Sequence, residues 1–98
     1  MAIYNTYLVC YDVADNKRRK KLFDFLKDIG LEGLQESVFY GYLKKPEEKS
    51  LQRFLDETLK KGEDKCLIIQ CLLDEKVLLK SFGYRHWNLR KPDESECI

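Results

Sequence analysis

The run Ile3–Asp12 limits the possible folds of this chain more than any other feature. It is aromatic, β-branched and apolar at both strand parities. Ile3, Tyr7, Val9 and Tyr11 fall on one side, and Tyr4, Leu8 and Cys10 on the other. Side chains alternate across a strand, so a strand of this kind must be covered on both faces. The run Lys65–Leu73 has the same character. There Leu67, Ile69, Cys71 and Leu73 oppose Cys66, Ile68 and Leu72.

Helical spacing fills the space between. Asp15 is the expected N-cap of a helix that runs to about Ile29 and stops at Gly30, with Leu22, Phe23, Leu26 and Ile29 on its buried side. Leu34–Leu43 is strand-like, with Gly41 expected as a bulge or turn. The stretch Gly33–Lys45 must supply two strands of a hairpin or one long bent strand. Pro46 suits the first position of a second helix with a stripe of Leu51, Phe54, Leu55, Thr58 and Leu59. Glu47 and Glu48 at its start and Lys60 and Lys61 near its end would match the helix dipole, and Gly62 would end it. A short helix (Lys76–Phe82) and a strand (Tyr84–Leu89) are expected after Leu73. The order β-α-β-β-α-β predicts an α+β fold, a ferredoxin-like sandwich over residues 1–91, with residues 92–98 as a flexible acidic tail. Two helices cover one sheet face. A second copy is the simplest cover for the other, which predicts a homodimer packed through the sheet faces.

Ninety-eight residues form one domain. A net charge of +1 means that any grip on a polyanion must come from clustered charge. The four cysteines form no CxxC pair and His86 stands alone, which argues against a zinc cluster and for reduced thiols in a cytoplasm. No secretory leader is expected, because the run after Met1 lacks a basic lead and is broken at Asn5. No stretch approaches the ~20 apolar residues of a membrane span.

Asp12 ends the first strand run. A carboxylate fixed at a strand tip can hold a hard cation such as magnesium, which takes one or two carboxylates plus waters and substrate oxygens. Lys17, Arg18, Arg19, Lys20 and Lys21 then open the first helix, where cations oppose the dipole by a few tenths of a kcal/mol each. That placement is reasonable if an anion sits there, and a phosphodiester would satisfy both metal and cations. A two-fold axis near the strand ends would pair Asp12 with its copy. The ordinary roles are a turn-capping aspartate and a solvated helix face. Phe39, Tyr40 and Tyr42 could be a stacking platform, but without the fuller basic-aromatic signature they read as core and interface. Ser37 has no His or Asp close in sequence to activate it, and His86-Trp87 has no evident partner.

Together these pieces resemble the small CRISPR-associated (Cas) proteins of the spacer-adaptation module, the second core Cas family. The resemblance rests on Tyr11-Asp12, on Arg18 and Arg19 in the basic helix opening, on Gln35-Glu36-Ser37-Val38-Phe39, and on Asp64 before an apolar strand. It covers roughly residues 3 to 73 in order. It implies a homodimer with one Mg2+ between protomers, held by Asp12 as catalytic residue and metal ligand. It implies that Arg18, Arg19, Ser37 and Phe39 contact or support nucleic acid, beside Lys17 and Lys20 of the basic run. Members are described as metal-dependent endonucleases on single-stranded RNA or double-stranded DNA, and as bridges between dimers of the CRISPR integrase. A non-catalytic scaffold joining integrase and DNA is thus the alternative to an enzyme. Leu34 stands where the family often has arginine, and Glu36 adds negative charge; both weaken phosphate contact from that strand. A small-molecule regulatory domain of the same fold would need a glycine-rich ligand loop that this chain lacks.

Overall fold

The computed structural model describes residues 3–88. In chain order they form β1 (Tyr4–Asp12), α1 (Asn16–Asp28), β2 (Glu32–Gln35), β3 (Val38–Lys44), α2 (Lys45–Thr58), β4 (Lys65–Gln70) and α3 (Glu75–Lys80). The strands make one antiparallel sheet in the order β2-β3-β1-β4. This is the ferredoxin-like α+β arrangement, with the two longest strands in the centre.

Local chemistry sets the helix ends. Asp15 is extended and accepts a hydrogen bond from the Arg18 amide at 3.0 Å, which starts α1. Gly30, at φ 97°, turns the chain out of that helix. Glu47 accepts from the Lys44 amide at 2.8 Å and, with Pro46 and Glu48, opens α2. Lys60 and Lys61 do not complement the end of α2, contrary to expectation. The helix stops at Thr58, and its last turn has no basic residue. Lys60 instead builds the following turn, pairing with Glu63 at 2.7 Å, and Gly62 sits in that turn at φ 87°.

Both helices cover the odd-numbered face of β1. Tyr7, Val9 and Tyr11 meet Leu22 and Leu26 of α1, Leu51 of α2, and Phe39 and Leu43 of β3 in one core. Cys66 and Ile68 of β4 pack against it, and burial pushes the Cys66 thiol up to about 11. Phe25 stacks on Phe54 between the helices with ring centroids 4.2 Å apart.

In the central segment the hairpin alternative holds, and the reading of Gly41 is corrected. The stretch does form a hairpin, with β2 only four residues long and a register shift between Gly33 and Gln35. Gly41 is neither bulge nor turn. It lies within β3, opposite Tyr7, and a Cβ there would come to 3.0 Å from Leu31 Cδ2. Glycine is needed because the chain leaving α1 crosses close beneath the strand.

The other sheet face carries Leu8 and Cys10 of β1, Tyr40 and Tyr42 of β3, and Leu67 and Ile69 of β4. Helix α3, capped by Asp74 and shorter than the expected Lys76–Phe82, covers part of it through Leu78. The Leu73 amide donates to the buried Tyr40 hydroxyl at 2.8 Å. Leu67 remains 62% exposed and Ile69 42%. The expected strand 84–89 is a turn over residues 84–88, and Leu89 lies outside the described residues, as does the tail 92–98. This turn is tied to the β2 edge: Tyr84 donates to the Leu34 carbonyl at 2.7 Å, and the Trp87 indole to Glu32 at 3.0 Å.

One carboxylate joins three chain segments. Asp64 precedes β4, and its side chain is fully shielded from solvent. It accepts from the Ala14 amide at 3.0 Å, the Lys60 amide at 2.8 Å, Arg18 Nε at 2.7 Å and Arg18 Nη2 at 3.2 Å. The Arg18 guanidinium, and then the two amides, hold its carboxyl well below the usual carboxylate range.

Two outcomes follow from this packing. Gly41→Val should lose about 1–3 kcal/mol by overpacking against Leu31, and unchanged urea unfolding would contradict the close approach. Because the folded pKa of Asp64 is depressed, its contribution is complete above the ordinary value of 3.8 and is lost as pH falls through the folded value. Thermal unfolding should therefore show little dependence on this group between about pH 5 and 7 and weaken below about pH 4. Asp64→Asn should lower the melting midpoint at neutral pH and flatten the acid limb.

Candidate nucleic-acid site at the end of strand β1

Asp12 is the last residue of β1 and is exposed. Its cross-strand partner in β4 is Lys65, also exposed. Pleating puts both on the face that carries Leu8, Cys10, Leu67 and Ile69, so a charged rim ends an apolar strip. Tyr11 points the other way, into the core. Its amide donates to the Ser37 carbonyl at 3.0 Å, and its hydroxyl to the Glu36 carbonyl at 3.3 Å. Burial raises the Tyr11 hydroxyl above its ordinary value, so it stays protonated at neutral pH. The β2–β3 turn is thereby fixed beside the strand end.

The structure brings Asp12, Ser37 and the start of α1 to one end of the sheet, but the expected cations are not equally available there. Arg18 is engaged by Asp64, with Glu63 at 3.5 Å. Arg19 folds back over the loop, donating to the Val13 carbonyl at 2.9 and 3.1 Å, the Ala14 carbonyl at 3.3 Å and Asn16 Oδ1 at 2.6 Å. Lys20 pairs with Asp24 at 3.0 Å. Lys17 and Lys21 are exposed and make no ion pair among the described residues. Phe39 is 1% exposed and lies in the core, edge-on to Phe23 with centroids 5.4 Å apart, where it supports this end of the sheet from beneath.

A second basic feature lies between α1 and β2. Asn16, Arg19, Lys20, Phe23, Lys27 and Gln35 line a shallow groove there, with the Lys27 ammonium 5.3 Å from the centre of the Phe23 ring. The sequence reading missed Lys65 and the role of Asp64 as acceptor for Arg18. Lys65 was legible only to a reader who had fixed the β1–β4 register. Asp64 stood out before an apolar strand, but its partner lies 46 residues away.

No group of three or more His, Cys, Asp or Glu that could hold a metal exists among the described residues. A single exposed carboxylate fits magnesium only where a second copy and substrate oxygens complete the set. No helix among the described residues is long and apolar enough to cross a membrane.

Comparison with known proteins gives a consistent answer. The family model for CRISPR associated protein Cas2 matches residues 5–78. The CRISPR-associated endoribonuclease Cas2 1 of Francisella tularensis subsp. novicida is 35% identical over 94 residues, covering 96% of each chain. A Cas2 of Synechocystis sp. with the same description is 36% identical over 90 residues, covering 88% of this chain and 93% of its own. A crystal structure of a Thermus thermophilus protein described as hypothetical superposes with a TM-score of 0.66 at 36% identity, over 71% of this chain and 84% of that one. The Streptococcus pyogenes Cas2 crystal structure shares the fold, with a TM-score of 0.61 at 23% identity, over 87% of this chain and 99% of that one. With the fold and these matches in agreement, the chain belongs to the Cas2 family of CRISPR-associated proteins.

Proposed function

We propose that this chain is a metal-dependent endoribonuclease that works as a homodimer in the cytoplasm during CRISPR spacer acquisition. The observation that carries the reading is the position of Asp12, at the rim of an apolar sheet face that the helices leave partly open. A second copy laid on Leu67 and Ile69 about a two-fold axis would bring two Asp12 carboxylates to a common edge. The relatives named endoribonuclease supply the substrate class.

The Asp12 pair would hold Mg2+, whose charge draws electron density from a phosphoryl oxygen and so makes the phosphorus a better electrophile. The protein's own groups position the substrate. The β1–α1 loop is fixed by Asp64 and Arg19, so Asp12 presents its carboxylate from a rigid support. Lys17 and Lys21 offer charge to the flanking phosphates, and Ser37 lies at the same sheet end. Tyr11 and Phe39 stack beneath with centroids 6.3 Å apart and support that end.

A second reading has its own support. Each copy gives one carboxylate, Arg18 and Arg19 are engaged internally, and a lysine opposes Asp12. These features suit a scaffold that grips a nucleic-acid backbone and joins DNA to the CRISPR integrase without turnover.

A cleavage assay on single-stranded RNA and duplex DNA, with and without chelator, separates the two. Asp12→Asn should reduce cleavage at least about 100-fold while the sedimentation coefficient stays that of a dimer. Cleavage that survives the substitution would remove Asp12 from the chemistry. Leu67→Arg with Ile69→Arg should give a folded monomer in sedimentation at micromolar concentration. A variant that remains dimeric would exclude this face as the interface.

A further inference from the structure

We propose that Lys65 is the residue that holds substrate phosphate at the Asp12 end of the sheet. Four observations lead to it. Lys65 stands directly across the β1–β4 ladder from Asp12, on the same face. Directly opposed residues have Cβ atoms about 4.5–5.5 Å apart, so a phosphate oxygen at the Asp12 carboxylate lies within reach of the lysine. The two do not close on each other as an ion pair, and Lys65 is exposed with no ion pair among the described residues. The arginines that the sequence offers for this task are spent: Arg18 on Asp64, and Arg19 on the Val13 and Ala14 carbonyls. Lastly, β4 is an edge strand among the described residues, so a ligand can approach Lys65 from outside the sheet.

The chemistry suits a phosphodiester. An ammonium is a compact charge with three donors that can follow a phosphate without a fixed fork geometry. Beside Asp12 it would offset the repulsion between carboxylate and phosphate. The inference deepens the proposed function and rests on its placing the substrate at Asp12.

The test measures binding without turnover. A fluorescently labelled single-stranded RNA is titrated with protein in EDTA at several salt concentrations, and anisotropy is read. The variants are Lys65→Ala, Lys65→Arg, Asp12→Asn and, as a nearby surface-charge control, Lys61→Ala. Lys65→Ala should weaken binding about 5–10-fold and lower the slope of log affinity against log salt by about 0.7 for each copy in contact. Lys65→Arg should keep wild-type affinity. Asp12→Asn should bind more tightly, because a negative charge leaves the phosphate path. Lys61→Ala should change little, and all the variants should melt with the wild type.

Lys65→Ala binding like the wild type with an unchanged slope would overturn the inference, as would an equal loss in Lys61→Ala or a wild type that does not bind. If Lys65→Ala fails to fold, Lys65→Gln takes its place under the same criteria. Because binding is read in chelator, loss of the Lys65 effect is distinguishable from loss of the proposed reaction. Asp12→Asn that still cleaves overturns the nuclease assignment to Asp12, and an unaltered salt slope in Lys65→Ala overturns the phosphate contact.

Discussion

The Asp64 carboxylate is the interaction on which the working end of this molecule depends. It joins the loop after β1, the first turn of α1 and the turn before β4. The loop after β1 also sends Val13 into the core, so the carboxylate adds a polar tie to an apolar one. A shielded carboxylate is tolerable only when its lone pairs are satisfied, and here four donor atoms converge on it. With that condition met, the loop cannot slide relative to β4. Asp12 and Lys65 are then held in register on adjacent strands, and Arg18 is committed to structure.

The two-faced sheet imposes the second constraint. The helices bury Tyr7, Val9 and Tyr11, while α3 covers part of the opposite face at Tyr40. Burying a leucine or isoleucine side chain is worth about 1.5–3 kcal/mol. Leu67 and Ile69 from two copies therefore give on the order of 6–12 kcal/mol as an upper bound. Association costs about 4–15 kcal/mol. The exposed pair alone does not secure a dimer on this arithmetic, so an interface here must extend along the strip to Leu8 and Cys10. Such an extension would carry it toward the Asp12 rim, so that the proposed chemistry and association would share one surface.

Most of the fold was legible from local signals. The Asp15 cap, the Leu22–Leu26 stripe, the Pro46 helix start and the doubly apolar strands are sequence-local facts, and the structure repeats them. The hairpin between β2 and β3 was harder to place because its turn, at Glu36 and Ser37, lacks the Gly or Asn that marks a tight turn. Gly41 was read as punctuation, when its cause is the approach of Leu31 from another segment. Lys60 and Lys61 fit the dipole rule but fall past the helix end. Each of these departures comes from a contact distant in sequence, or from a turn whose chemistry is not specific to turns.

The candidate site follows the same division. Asp12 could be found because a strand signal ends on it. The basic run was read as clustered charge or as a solvated helix face, but which of its cations are available is a tertiary property. A guanidinium near a helix N-terminus is unfavourable toward the dipole and favourable toward any acceptor that lies behind it. Arg18 finds Asp64, and Arg19 finds the carbonyls of Val13 and Ala14, so both reinforce the loop they seemed to contradict. Lysines have no planar fork to satisfy and stay in solvent at Lys17 and Lys21. Among the described residues, the cations near this end of the sheet that make no ion pair are therefore lysines. One of them, Lys65, is far from the run in sequence and becomes a neighbour only through strand pairing. For this chain the count of cations in a helix start overstates its grip on phosphate, and the β1–β4 register identifies where the missing charge is supplied.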